Sequence, residues 1–215
     1  MQNRRYFYLT VLIALVIFVA CLLMAGPMRP GLPVITDWSA RLLYIQQHLG
    51  WWQLGWLCWM ASALGLLTFC FLLSTTLTAT PWRTLALTLV GLGLVPDLIA
   101  ETLYAFVFPT LIAQESSMAL LQFVDVTAMY LTGFLGNGLY NLGGLGLTLL
   151  LWQQHPQLKA WLLPGFVAWI AGFGLSVSIA LQQLGWAEAL TAFSMALSTG
   201  WFVLIAYRLW YKADV

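Results

Sequence analysis

Asp97 and Glu101 are the residues of this chain best placed to do chemistry, because both carboxylic acids lie inside an otherwise apolar run from Leu85 to Ile112. An aspartate at the bilayer centre costs about 2.5–3.5 kcal/mol on insertion scales, so such residues face a protein interior and mark a pathway or a site. Four residues apart, the two share one helix face, and Tyr104 extends it. A second polar stripe follows in the next apolar segment, where Tyr130, Asn137 and Asn141 recur at spacings of seven and four. Glycines surround it at 133, 136, 138, 143, 144 and 146. Small residues let membrane helices approach closely, and asparagine amides bond across them. Carboxyls of this kind would receive a cation, an amine or a proton. The amides would fix orientation, with Tyr104, Tyr130 and Trp169 as walls.

Six apolar segments approach spanning length, at about 6–25, 52–74, 85–108, 127–152, 161–181 and 189–210. The expected fold is all-α: one membrane domain over residues 1–215, built as a bundle of six transmembrane helices. Pro96, beside Asp97, frees a carbonyl and bends the third span. Lysine and arginine set the orientation. With the N-terminus inside, Arg4, Arg5, Arg83, Lys159, Arg208 and Lys212 are cytoplasmic, and only Arg29 and Arg41 lie outside, so the chain reads as N-in/C-in. Arg4 and Arg5 before an apolar run also fit a signal peptide, but the run is long enough to stay as an uncleaved first span. Trp51, Trp52, Trp161, Trp201 and Trp210 fall near span ends or in outer halves, the usual tryptophan belt. The outer loops should carry short amphipathic helices. Asp37 would cap one that uses Trp38, Leu42, Ile45 and Leu49, and Ser116 or Ser117 would cap another through Met118, Leu121 and Val124.

At 1.5 Å per residue, Asp97 lies roughly 20 Å from the cytoplasmic start of its span and Asn137 roughly 15 Å from the outer start of its own. Ser62, Ser176, Ser178, Ser194 and Ser198 reach a similar depth. A polar pocket in the outer half, framed by spans two to six, is the expectation. The competing reading is packing: the carboxyls bond Asn137, Asn141 or the carbonyl freed by Pro96. A faint repeat, Gly55-x-Leu57 and Leu64-Gly65 against Gly133-x-Leu135 and Leu142-Gly143, is consistent with parallel helical hairpins.

Composition narrows the class. Of 215 residues 62% are hydrophobic and 7% charged, whereas soluble domains carry roughly 25% charge. Lipid must therefore be the solvent. A net charge of +1 supplies no basic field for nucleic acid. Cys21, Cys58 and Cys70 lie in apolar runs with no Cys-x-x-Cys, so they read as packing groups. Both histidines, His48 and His155, are in loops, which leaves no span ligands for zinc or haem. Lys159 and Lys212 are at the inner edge, out of reach of a core Schiff base. No nucleophile elbow, Walker loop or His-Glu-x-x-His occurs. No cofactor or metal is expected, and no catalytic residue is assigned.

The layout resembles that of uncharacterised bacterial six-span membrane proteins. A long first outer loop, Asp97-x-x-x-Glu101 in the third span and the stretch from Gly138 to Gly143 around Leu139 and Tyr140 carry the resemblance. It implies this fold and no activity. The short loops, the lack of a soluble domain and the charge bias suit a bacterial cytoplasmic membrane, with an organelle membrane as the alternative. Three functions remain from the sequence. The first is binding, and transport, of a small or amphipathic, cationic molecule through the outer-half pocket. The second is an accessory subunit of a larger membrane complex, or a homo-oligomer. The third is a lipid or isoprenoid enzyme using the two carboxyls as acid and base.

Overall fold

The computed structural model describes residues 2–212, with side chains from Arg4 onward. No strand occurs among them, and six helices are long and apolar enough to cross a membrane. They are α1 (Gln2–Ala25), α3 (Leu49–Ser74), α4 (Pro81–Ala113), α5 (Met118–Gln154), α6 (Lys159–Ala180) and α7 (Leu184–Tyr211). The short helix α2 (Trp38–Gln47) lies between the first two. Each long helix packs on its sequence neighbours, and α7 returns to α1, so the six close into a ring. One end of the ring carries Arg83, Lys159 and Arg208; the other carries α2.

Local chemistry accounts for the helix ends. The Asp37 carboxylate accepts from the Ala40 amide, the Thr80 hydroxyl from the Arg83 amide ahead of Pro81, and the Ser117 hydroxyl from the Leu120 amide. At the far end of α4, Glu115 adopts a left-handed conformation (φ 53°), and the Ser116 amide reaches back to the Leu111 carbonyl. That closes the last turn in the manner of a Schellman cap. Gln182 (φ 57°) ends α6 in the same way.

Two helices are longer than their apolar segments suggest. The expected separate helix after Ser117 is instead the first turns of α5, which runs unbroken for 37 residues. No proline or glycine interrupts it before Gly133. Both long helices contain a π-helical stretch, Leu103–Val107 in α4 and Tyr130–Gly136 in α5; a third ends α7 at Tyr207–Tyr211. The α4 stretch has an identifiable consequence. The Phe108 amide donates five residues back, to Leu103. The next donor in that pattern would be Pro109, which has no N–H, so the Tyr104 carbonyl is left open. The Trp52 indole fills it, donating over 2.7 Å.

Several tryptophans expected at the interface are instead packing groups. Trp52, Trp201 and Trp210 are buried, and Trp201 donates to the Trp161 carbonyl across the α6–α7 seam. The α4–α5 seam is the closest backbone approach in the ring. A Cβ on Gly93 would stand 2.6 Å from the Gly136 carbonyl, and one on Gly136 would stand 2.8 Å from the Gly93 carbonyl. Only glycine permits this contact, which holds Asp97 against α5.

Candidate functional site

A cavity of about 60 Å³ lies inside the ring, and all six long helices line it. Asp97 of α4 and Asn137, Tyr140 and Asn141 of α5 form one wall. Trp169 of α6 and Ser194 and Ser198 of α7 form the next, and Trp59 and Ser62 of α3 with Ile17 of α1 complete it. Asp97 is 1% exposed and accepts a short hydrogen bond from the Thr132 hydroxyl. Asn137 donates to the Gly172 carbonyl (2.5 Å) and Ser176 Oγ (2.8 Å), tying α5 to α6. Asn141 donates back to the Asn137 carbonyl (2.7 Å) and Oδ1 (2.9 Å). Its amide lies where a side chain on Gly172 would be, so α6 must offer a glycine there. Trp169 is locked by donation to Thr148 Oγ1 (2.9 Å).

Glu101 stands one turn along α4 from Asp97. It is fully buried, and neither carboxylate oxygen has a hydrogen-bond partner. The Trp56 indole N–H is likewise buried and unpartnered. Trp56 is one turn from Trp59 on α3, as Glu101 is one turn from Asp97 on α4, and both steps run toward the α2 end. Buried polar groups without partners are rare in native structures, and each needs an explanation such as a water, an ion or a catalytic role. Among the described residues no side-chain cation answers the two carboxyls. Arg41, the buried arginine, is spent on Asp125, and Arg83 donates to the Leu77 carbonyl at the far end. Two ionised carboxylates a turn apart in a dry interior would repel, so the pair calls for a proton or an added cation.

Aromatic clusters flank the cavity along the ring. Toward the basic end lies an apolar plug in which Phe69 stacks on Phe202 (3.8 Å) and Trp201 meets Trp169 edge-on. Toward α2 the Tyr104 ring stacks on Trp56 (4.6 Å), with Trp52 and Phe108 edge-on. The Tyr104 hydroxyl donates to the Asp125 carbonyl (3.0 Å). Above this cluster the Arg41 guanidinium grips both Asp125 oxygens (2.8 and 3.3 Å) and the Gly31 carbonyl (3.2 Å). It also rests on the Trp38 ring, 4.7 Å from its centroid. Arg41 is thus buried in α2 beside the expected apolar face, of which Ile45 is buried and Trp38 and Leu42 pack on the same cluster, whereas Leu49 belongs to α3 and is exposed.

Of the residues singled out in the sequence, Asp97, Asn137, Asn141 and Trp169 meet at the cavity. Glu101 lies one turn beyond it, Tyr104 flanks it toward α2, and Tyr130 points away. The expected bonds from the carboxyls to Asn137 or Asn141 do not occur, because both amides turn toward α6 or along α5. The π-helical stretch explains Tyr130 and the unexpected role of Thr132. In a regular helix Tyr130 would stand roughly 20° from Asn137, and Thr132 roughly 140° away. The wider turn takes up about one extra residue, or roughly 100°. It swings Tyr130 off the cavity face, where its hydroxyl meets Gln182 at 3.4 Å, and brings Thr132 onto Asp97. The Arg41–Asp125 pair was also not apparent. Its one sequence signal was two opposite charges near the outer ends of apolar segments.

No family model, curated protein or solved structure matches this chain.

Proposed function

We propose that this chain is an integral membrane protein that binds, and moves, a small cation or proton-bearing solute at the centre of the ring. Asp97 and Glu101 take up its charge, and Asn137 and Asn141 hold the cavity wall in place. One observation carries the reading: a buried carboxyl opens on a cavity lined by every span, and a second buried carboxyl one turn away has no partner. Ligand pockets for drug-sized molecules run to about 300–1,000 Å³. A cavity of about 60 Å³ suits a few waters, a metal monocation or an ammonium group, not a whole amphipathic molecule. The aromatic and ionic cluster toward α2 and the apolar packing toward the basic end supply two barriers on either side of such a site. With the basic end in the cytoplasm of a bacterial cell, Arg41 and Asp125 would guard the outer entrance.

The test compares thermal unfolding of the detergent-solubilised protein in chloride salts of sodium, potassium, ammonium and N-methyl-D-glucamine, with ion and proton flux measured in proteoliposomes. One small cation should stabilise the protein over the bulky one, by about 2.7 kcal/mol at a hundredfold excess over Kd. Asp97→Asn should abolish the difference. If the four salts behave alike and flux equals that of empty vesicles, the reading is wrong.

A second reading, an accessory or self-associating subunit, draws on the outer flank of α5. There Phe123, Val126, Phe134 and Leu135 are exposed along an open apolar groove of about 630 Å³. Lipid chains would also cover such a face, so this reading ranks second.

A further inference from the structure

The basic end of the ring carries an unusual set of unanswered donors. Both ion pairs among the described residues, Arg29–Glu188 and Arg41–Asp125, are at the α2 end. There Glu188, 2.8 Å from Arg29, raises that guanidinium above its usual range. At the opposite end Arg4, Arg5, Arg83, Lys159, Arg208 and Lys212 face no described carboxylate. Arg83 is used up on backbone carbonyls at the end of α3. Others are parked on aromatic rings: Lys159 on Trp152 (5.2 Å) and Arg208 on Trp161 (4.6 Å).

The seam between the start of α1 and the end of α7 concentrates this chemistry. Tyr207 and Tyr211 stack on each other at 5.3 Å, across the π-helical end of α7. Arg4 lies 5.5 Å over the Tyr211 ring, and Lys212 lies 5.8 Å over the Tyr207 ring. Phe7 packs beneath both, 6.2 Å from Tyr207 and 5.0 Å from Tyr211. Neither phenol hydroxyl hydrogen-bonds a described residue, and both tyrosines are partly exposed. One guanidinium and one ammonium therefore flank a stacked pair of tyrosine rings, each with a hydroxyl unbonded to any described residue, where the first and last spans meet at the basic end. That is a ligand set for a phosphate oxyanion: two cationic donors, the guanidinium able to bond two oxygens at once, and two hydroxyls that can also donate. Basic residues at this depth attract anionic headgroups by about 1 kcal/mol each, and tyrosine favours the same interfacial layer.

We propose that the α1–α7 seam binds the phosphodiester headgroup of an anionic phospholipid, through Arg4, Lys212, Tyr207 and Tyr211. Charge complementarity selects this occupant: a guanidinium and an ammonium with no described carboxylate beside them favour a headgroup of net negative charge over a zwitterionic one. The occupied seam would bridge the first and last helices, the joint that closes the ring. The proposal rests on the membrane-spanning reading but on nothing about the central cavity.

The experiment is native mass spectrometry of the full chain, released from micelles holding equal phosphatidylglycerol and phosphatidylcholine. Four proteins are compared: wild type, Arg4→Gln/Lys212→Gln, Tyr207→Phe/Tyr211→Phe, and Arg29→Gln as a control at the other end. Circular dichroism checks that each is folded. Wild type and Arg29→Gln should retain phosphatidylglycerol in preference to phosphatidylcholine. The charge-removed double variant should lose roughly fivefold per charge, about 25-fold in all. The phenylalanine pair should lose less while keeping its fold. Equal retention of the two lipids by wild type, or a preference unchanged in Arg4→Gln/Lys212→Gln, overturns the proposal. Displacement of the lipid by millimolar inorganic phosphate also overturns it, by assigning the seam to a soluble phosphate. A wild-type protein that responds alike to all four salts while keeping its lipid preference would sink the cavity reading and leave this one standing.

Discussion

Replacing Glu101 by leucine separates a functional carboxyl from a packing one. In the folded chain the side chain is fully buried and neither oxygen is hydrogen-bonded. An unsatisfied buried polar group costs about 1–3 kcal/mol, and a charged one more. Leucine has similar bulk, presents nothing to desolvate and breaks no bond. Glu101→Leu should therefore raise stability by about 1–3 kcal/mol, and abolish any cation response. Asp97→Leu, by contrast, strands the Thr132 hydroxyl that now donates to Asp97, and should be neutral at best. The assay is reversible unfolding by mixed-micelle titration in buffer whose only cation is N-methyl-D-glucamine. Thermal midpoints should move roughly 2–4 °C per kcal/mol for a chain of this size. A stabilised but inactive Glu101→Leu is the signature of a site that holds strain for function. If Glu101→Leu instead loses 2 kcal/mol or more, the carboxyl holds the bundle together, and the argument from its unpartnered oxygens fails.

Three further outcomes are expected. Arg41→Met and Asp125→Leu should each cost about 3–5 kcal/mol or free α2 to hydrogen exchange, because each strands a buried charge. The double variant should cost far less than their sum, and additive losses in a double-mutant cycle would refute the pairing. Asn137→Leu removes the bonds to the Gly172 carbonyl and Ser176 and should lower unfolding stability by about 1–3 kcal/mol, whereas an unaltered unfolding curve would mean that the amide does not tie α5 to α6. Gly136→Val forces a Cβ against the Gly93 carbonyl and should cost about 1–3 kcal/mol or more by prying α4 from α5; a variant as stable as wild type would deny that close approach.

The long helices were legible in the sequence because hydropathy acts on a whole segment. About twenty apolar residues make a helix that water will not solvate, whatever its neighbours do. Asp37 and Ser117 were legible for an equally local reason, since a side-chain oxygen beside a helix start reaches its own backbone. The two intramembrane carboxyls stood out because each breaks an apolar pattern. Local signals did less well once winding changed. A π-helical stretch is one extra residue in a turn, and no composition marks it, yet it moved Tyr130 off the cavity and put Thr132 on Asp97.

Everything that makes these residues a site came from contacts between distant parts of the chain. Arg41 finds Asp125 across 84 residues, and Thr132 reaches Asp97 across 35. Closure of α7 onto α1 turns six spans into a ring with a common interior. The sequence determined which segments leave water and which carboxyls leave it with them. Only the tertiary structure decided which carboxyl found a partner and which did not, because helix packing sets a side chain's neighbours and nothing in its local sequence encodes them.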